Sequence, residues 1–104
     1  MEKITQEYTW TLRTANKSGV VQVGLTLRDA GGSPVKGRSV KGEVWMPDMP
    51  MPGYPAALEF QEADAGQYLA LVQYGHGGYW QIKAEFTDDK GQMHRQSFDC
   101  DIAE

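Results

Sequence analysis

The sequence is poor in cysteine and has no long apolar run, and each shortage excludes a class of protein. Cys100 is the single cysteine among 104 residues, so an internal disulfide cannot form. No stretch approaches the ~20 apolar residues of a membrane span, and residues 1–5 lack the apolar core of a signal peptide. We therefore expect no direct insertion of these residues into a membrane.

Concentrated positive charge and catalytic motifs are also missing. Ten Lys and Arg residues against fourteen Asp and Glu residues give a net charge of −4, and the basic residues are scattered singly, which argues against nucleic acid as a partner. His76 and His94 lie in different segments, and no nucleophile elbow, P-loop or zinc-protease motif occurs. We expect a protein that is not an enzyme.

Alternating apolar and polar residues predict β-strands, and no long window has the helical period of 3.6. The clearest strand is 79–86, where Trp80, Ile82 and Phe86 alternate with polar side chains. Short strands at intervals of about ten residues are typical of a two-sheet sandwich. The sequence therefore predicts one all-β domain over residues 1–104, an immunoglobulin-like β-sandwich of about seven antiparallel strands. The predicted strands are 8–12, 21–27, 40–46, 57–60, 68–72, 79–86 and 92–102.

Two shorter patterns predict details of this sandwich. The D-x-G-x-Y spacing that ends at Tyr68 predicts a tyrosine corner, in which the hydroxyl group bonds to an upstream backbone group. Cys100 lies between Phe98 and Ile102 in a strand where apolar residues alternate with aspartates. We therefore expect Cys100 to be a buried structural thiol rather than a metal ligand.

The most distinctive chemistry lies in residues 45–55. Three of the four non-initiator methionines, Met46, Met49 and Met51, fall within six residues and are interleaved with prolines. Thioether sulfur is a soft, uncharged ligand that suits Cu(I). One imidazole would complete a trigonal or tetrahedral site, and His76, between glycines, is the first candidate, with His94 second. The predicted metal ligands are therefore Met46, Met49, Met51 and His76.

Packing explains the same methionines without a metal. Val40, Val44 and Met46 share one face of the predicted third strand, so Met46 can belong to the core. Met49 and Met51 could then cover the open end of the sandwich as adaptable apolar side chains. His76 could equally be an exposed loop residue. The residues alone leave both interpretations open.

Four segments, taken in order, resemble the YtkA-like family, a relative of FixH-type domains. They are GSPVKG at 32–37, VWMPDMPM at 44–51, AGQY at 65–68 and GGYWQIK at 77–83, and the resemblance runs from about Val20 to Phe86. It implies an immunoglobulin-like module on the periplasmic or extracytoplasmic side of bacterial membranes, with its leader or anchor removed. It also implies a link to copper handling or to the assembly of copper-containing respiratory oxidases.

The leading hypothesis is a non-enzymatic copper-binding or copper-delivery module, with Cu(I) held by the methionine-rich loop. The principal alternative is a protein-interaction or accessory domain that has no metal of its own. In that case the same loop contacts a membrane-protein partner, in oxidase assembly or in efflux, because methionine-rich surfaces suit partner binding. A third possibility is a purely structural domain of a larger protein.

Overall fold

The chain folds into two antiparallel β-sheets that pack face to face. The computed structural model describes residues 1–48, 52, 55–73 and 78–102, and within them it contains nine strands and no helix. The predicted all-β sandwich is thus confirmed. The strands are β1 (Glu2–Ile4), β2 (Tyr8–Lys17), β3 (Val20–Asp29), β4 (Val40–Trp45), β5 (Ala56–Glu59), β6 (Gln61–Asp64), β7 (Gln67–Gln73), β8 (Gly78–Thr87) and β9 (Met93–Ile102).

Alternation of side chains creates the core between the sheets. The five-stranded sheet has the order β1-β2-β3-β7-β6, and the four-stranded sheet has the order β5-β4-β8-β9. Inner-face residues of both sheets are buried, and the largest are Trp10 and Trp80. In β8 every second residue from Trp80 to Phe86 is buried, as its sequence pattern predicts.

Two of the nine strands have no counterpart in the sequence prediction. All residues of β1 and β6 are exposed, so neither strand carries an apolar alternation. Each lies at an edge of the five-stranded sheet and is held by backbone pairing with one neighbour. The chain crosses from the four-stranded to the five-stranded sheet at Phe60, whose amide donates to the Val40 carbonyl at 3.1 Å. The predicted strand at 57–60 is therefore followed by a change of sheet.

The predicted tyrosine corner is confirmed. The Tyr68 hydroxyl donates to the Val35 carbonyl at 2.8 Å and accepts from the Arg38 amide at 3.2 Å, while the side chain is buried. Burial raises the pKa of Tyr68 above its ordinary value. The bonds tie the crossover between β3 and β4 to the start of β7.

Cys100 occupies the predicted inner face of β9. It is buried together with Phe98 and Ile102. Burial raises the pKa of its thiol to about 11, so the thiol is protonated at neutral pH. The predicted burial of Cys100 is confirmed.

Candidate functional site

The strand pairing brings the two segments with predicted ligands to one end of the sandwich. β4 ends at Trp45 and β8 begins at Gly78, and in this antiparallel pair Trp45 lies opposite Gln81. Met46 follows β4 directly, and His76 precedes β8 by two positions. We call this end, where β4 ends and β8 begins, the methionine end.

Met46 is the one predicted ligand within the described residues. Its side chain is buried, with 8% of its surface exposed, and it continues the inner face that Val40 and Val44 begin. Its methyl carbon lies against Gly78, where an added Cβ would be 2.7 Å away. The missing side chain of Gly78 therefore makes room for Met46 at the start of β8. The expectation that Met46 shares the inner face with Val40 and Val44 is confirmed.

The other three predicted ligands, Met49, Met51 and His76, lie outside the described residues. Their role as ligands stays a prediction, as does the convergence of the three thioether sulfurs. The described residues fix only the points where the chain enters and leaves these segments. Those points are Asp48 at the end of one described range and Gly78 at the start of another.

The second candidate for the imidazole ligand, His94, does not lie at the methionine end. It lies opposite Phe86 in the pairing of β8 with β9, eight positions along β8 from Gly78. At ~3.3 Å per residue, eight positions correspond to about 26 Å. His94 therefore belongs to the opposite end of the sandwich, which we call the hairpin end, where Thr87 closes β8 and Met93 opens β9.

Aromatic and polar side chains surround the methionine end on both faces of β8. Trp80 is buried on the inner face, as expected of a core tryptophan, and it helps to line a core cavity of about 10 Å³. On the outer face the Lys83 ammonium lies 5.7 Å from the centre of the Trp45 ring, a cation–π contact. Asp99 accepts hydrogen bonds there from Gln81 at 3.0 Å and Tyr79 at 2.9 Å, and these bonds lower its pKa.

The hairpin end contains an acid–imidazole pair that the sequence analysis missed. Asp88 Oδ1 accepts from the amides of Lys90 at 2.9 Å and Gln92 at 2.8 Å, and Asp88 Oδ2 lies 2.9 Å from His94 Nε2. The bonds from His94 and Gln92 are the main causes of a lowered Asp88 pKa. The available signal was an aspartate that opens a D-x-x-G turn with a histidine on the returning strand. The Gly91 amide also donates to the Asp88 carbonyl at 3.1 Å, which closes this turn.

The family of the chain follows from its sequence. A family model described as YtkA-like matches residues 2–85. The chain belongs to the YtkA-like family. The family match includes Met46, Met49, Met51 and His76, and it ends before the hairpin that carries Asp88 and His94.

Solved structures support the YtkA-like chain's fold. A DUF4426 family protein from Pseudomonas aeruginosa PAO1 has a TM-score of 0.71 and 10% identity, over 99% of this chain and 96% of that one. MtrC from Shewanella baltica OS185 has a TM-score of 0.52 and 13% identity, over 94% of this chain but 22% of that one. At these identities the similarity concerns the fold alone. Comparison with curated proteins gives no match.

Within the described part of the chain, no helix has the length and apolar character needed to cross a bilayer.

Proposed function

We propose that this YtkA-like chain is a non-enzymatic extracytoplasmic module that binds or delivers copper as Cu(I). Its ligands are the thioethers of Met46, Met49 and Met51, with the His76 imidazole as a fourth. One observation carries the proposal: the Met46 methyl group packs against Gly78, two positions after His76. One proposed ligand, Met46, is therefore in direct contact with the described start of β8, two positions after another.

The ligand chemistry agrees with a soft, univalent ion. Thioethers carry no charge and do not titrate, so a site built from them holds Cu(I) without any proton leaving the methionines. Alternating prolines favour extended backbone, which projects neighbouring side chains at low entropic cost. Two or three sulfurs and one neutral imidazole give the trigonal or tetrahedral coordination that a d¹⁰ ion accepts.

Cys100 is the rival soft ligand and must be tested separately. It lies opposite Trp80 in the pairing of β8 with β9, in the same half of the sandwich as Met46. Its thiol is buried and its pKa is raised to about 11. Since the thiolate is the form that binds metal, Cys100 is expected to contribute little.

The direct test is an anaerobic titration of the purified protein with Cu(I) against a chromophoric chelator. Wild type should withdraw one equivalent. The Met49→Leu/Met51→Leu double variant keeps apolar bulk and alters no described core residue, and it should lose at least about 100-fold in affinity, or ~2.7 kcal/mol. Met93→Leu is the matched control, because Met93 is exposed and lies at the hairpin end. Cys100→Ala should bind as wild type does.

Two results would reject the proposal in different ways. Equal affinity of wild type and the double variant would show that the thioethers are not ligands. Loss of binding in Cys100→Ala alone would transfer the site to the thiol. A positive result has a second readout, since Cu(I) at ~100 times its Kd should stabilise the fold by about 2.7 kcal/mol.

One observation favours the alternative, an accessory domain with no metal of its own. Met46 is buried among core residues, as a packing methionine is. In that case the methionine-rich loop is a contact surface for a membrane-protein partner. The alternative predicts that neither wild type nor the double variant withdraws Cu(I) from the chelator.

A further inference from the structure

Three potential metal ligands meet at the hairpin end. The three residues are Glu7, Asp88 and His94, and each has a ligand atom within 4.8 Å of those of the other two. The side chains of Asp88 and His94 are 6% and 13% exposed, so this pair is nearly closed off from solvent, whereas Glu7 is exposed. The arrangement combines one imidazole with two carboxylates.

Fixed neighbours hold two of the ligands in place. Backbone amides of Lys90 and Gln92 donate to Asp88 Oδ1, which leaves Oδ2 directed at His94. The His94 ring stacks on Phe86 at 5.3 Å between centroids and makes a T-shaped contact with the Tyr8 ring at 4.7 Å. Both carboxylate and imidazole are therefore oriented by groups that are not themselves ligands, as the ligands of metal sites commonly are.

The position of Glu7 is not explained by the hairpin, which the pair of Asp88 and His94 stabilises without it. The hydrogen bond between Asp88 and His94 already closes the hairpin, and Glu7 makes no hydrogen bond or salt bridge among the described residues. Its neighbour Tyr8 is fixed against His94, and Tyr8 also bonds to Thr5 through its backbone. A second carboxylate thus lies within 4.8 Å of an imidazole that is already bonded to the first carboxylate. This surplus of negative charge is what a divalent cation would neutralise.

We infer that Glu7, Asp88 and His94 form a binding site for a divalent transition metal of the zinc type. An ion about 2.1 Å from both His94 Nε2 and Asp88 Oδ2 fits their 2.9 Å separation, and a Glu7 oxygen and water complete its coordination. The ion replaces the hydrogen bond between His94 Nε2 and Asp88 Oδ2, and the neutral imidazole then keeps its single proton on Nδ1. The donor set of nitrogen and oxygen suits Zn²⁺ or Co²⁺ and not Cu(I).

The site would join the two sheets. Glu7 immediately precedes β2 of the five-stranded sheet, whereas Asp88 and His94 belong to the hairpin of the four-stranded sheet. An ion bound by all three residues links the entry of β2 to the β8–β9 hairpin. Metal binding should therefore raise the unfolding temperature of the whole domain.

The test uses the full chain and Zn²⁺, measured by calorimetric titration and by thermal unfolding. The protein has two histidines, so in a His76→Gln variant His94 is the only imidazole left. That variant should still bind one equivalent of Zn²⁺ and should gain unfolding temperature as wild type does. Adding Glu7→Gln to this variant should weaken its affinity for Zn²⁺ at least about tenfold. The matched control is Glu2→Gln, which removes an exposed carboxylate on β1 and should leave the affinity unchanged.

Several outcomes would overturn the inference. They are failure of wild type to bind Zn²⁺ at millimolar concentration, loss of binding in His76→Gln, and unchanged affinity in Glu7→Gln. If His94→Gln does not fold, Glu7→Gln still decides, because Glu7 is exposed and lies outside the hydrogen bonds of the hairpin. The Met49→Leu/Met51→Leu variant should keep Zn²⁺ binding, so failure of the copper proposal and failure of this one are distinguishable.

Discussion

The two ends of the sandwich differ in how their connecting segments are built. At the hairpin end, polar side chains bond to the backbone of the turns: Tyr68 to Val35, Asp29 to Gly31, and Asp88 to Lys90. At the methionine end, residues 46–55 and 74–78 consist largely of methionine, proline and glycine. Few of these side chains can form such bonds. The turns of the hairpin end are therefore specified by side-chain bonds to the backbone, a means of specification that the composition of residues 46–55 and 74–78 largely excludes.

The largest effect is expected from Gly66→Ala at the hairpin end. Gly66 has a φ of 73°, and an added Cβ would lie 2.7 Å from Pro34 Cβ and 2.9 Å from the Leu27 carbonyl oxygen. Those atoms are held by backbone pairing, so we expect a loss of about 3 kcal/mol in unfolding free energy, measured by denaturant titration. Gly32→Ala is the control, with a similar φ and nothing within 4 Å, and should cost about 1 kcal/mol. Equal losses would mean that the close packing of this turn contributes nothing.

Tyr68→Phe should have the next largest effect. The substitution leaves the Val35 carbonyl and the Arg38 amide without their buried partner, which costs about 1–2 kcal/mol. Tyr79→Phe is the counterpart at the methionine end, where the hydroxyl donates to Asp99 at the surface. We expect it to cost less than about 0.5 kcal/mol. Equilibrium unfolding of both variants measures the two losses in unfolding free energy. A larger loss for Tyr79→Phe would contradict the greater importance of the buried hydroxyl.

Gly78→Ala tests the corresponding close approach at the methionine end. The added Cβ would meet the Met46 methyl group at 2.7 Å, with a φ of 140°. Because that methyl group ends a flexible side chain and can turn aside, we expect a loss of about 1 kcal/mol, mainly from the backbone conformation. A loss as large as that of Gly66→Ala in the same denaturant titration would show that Met46 is held as rigidly as the hairpin end.

The smallest expected effect is a change in acid sensitivity. Hydrogen bonds from His94 and the Gln92 amide lower the folded-state pKa of Asp88 below its unfolded value of about 3.9. Asp88 therefore stabilises the fold above that unfolded value, and this contribution is lost as pH falls through the lower folded pKa. Asp88→Asn should flatten the pH dependence of unfolding free energy between about pH 5 and 2. An unchanged pH dependence in Asp88→Asn would contradict the role of the His94 bond. Asp99→Asn at the methionine end should flatten the same pH dependence separately, since the Asp99 pKa is also lowered.

Much of the fold was predictable because strands with one buried face alternate apolar and polar residues in the sequence. Three predictions that follow from a pattern within one segment are confirmed: the alternation from Trp80 to Phe86, the inner-face position of Cys100, and the Tyr68 corner. The edge strands β1 and β6 were not predictable. Their residues are all exposed, and backbone pairing with a single neighbour leaves no side-chain pattern.

The candidate sites show the same limit. Met46 was predictable as an inner-face residue because it continues a strand pattern. The meeting of Glu7 with Asp88 and His94 was not, since it joins residues that are distant in sequence and depends on how the two sheets pack.

The most direct measurement of the central proposal is NMR of the protein labelled with ¹³C at its methionine methyl groups, titrated with Ag(I) as a redox-inert substitute for Cu(I). The five methionines give five assignable signals, and Met93 at the hairpin end is the internal reference. The proposal predicts that the signals of Met46, Met49 and Met51 shift together and saturate at one equivalent, while Met93 stays unchanged. If those three signals do not move, or if Met93 moves equally, the methionine end is not a soft-metal site.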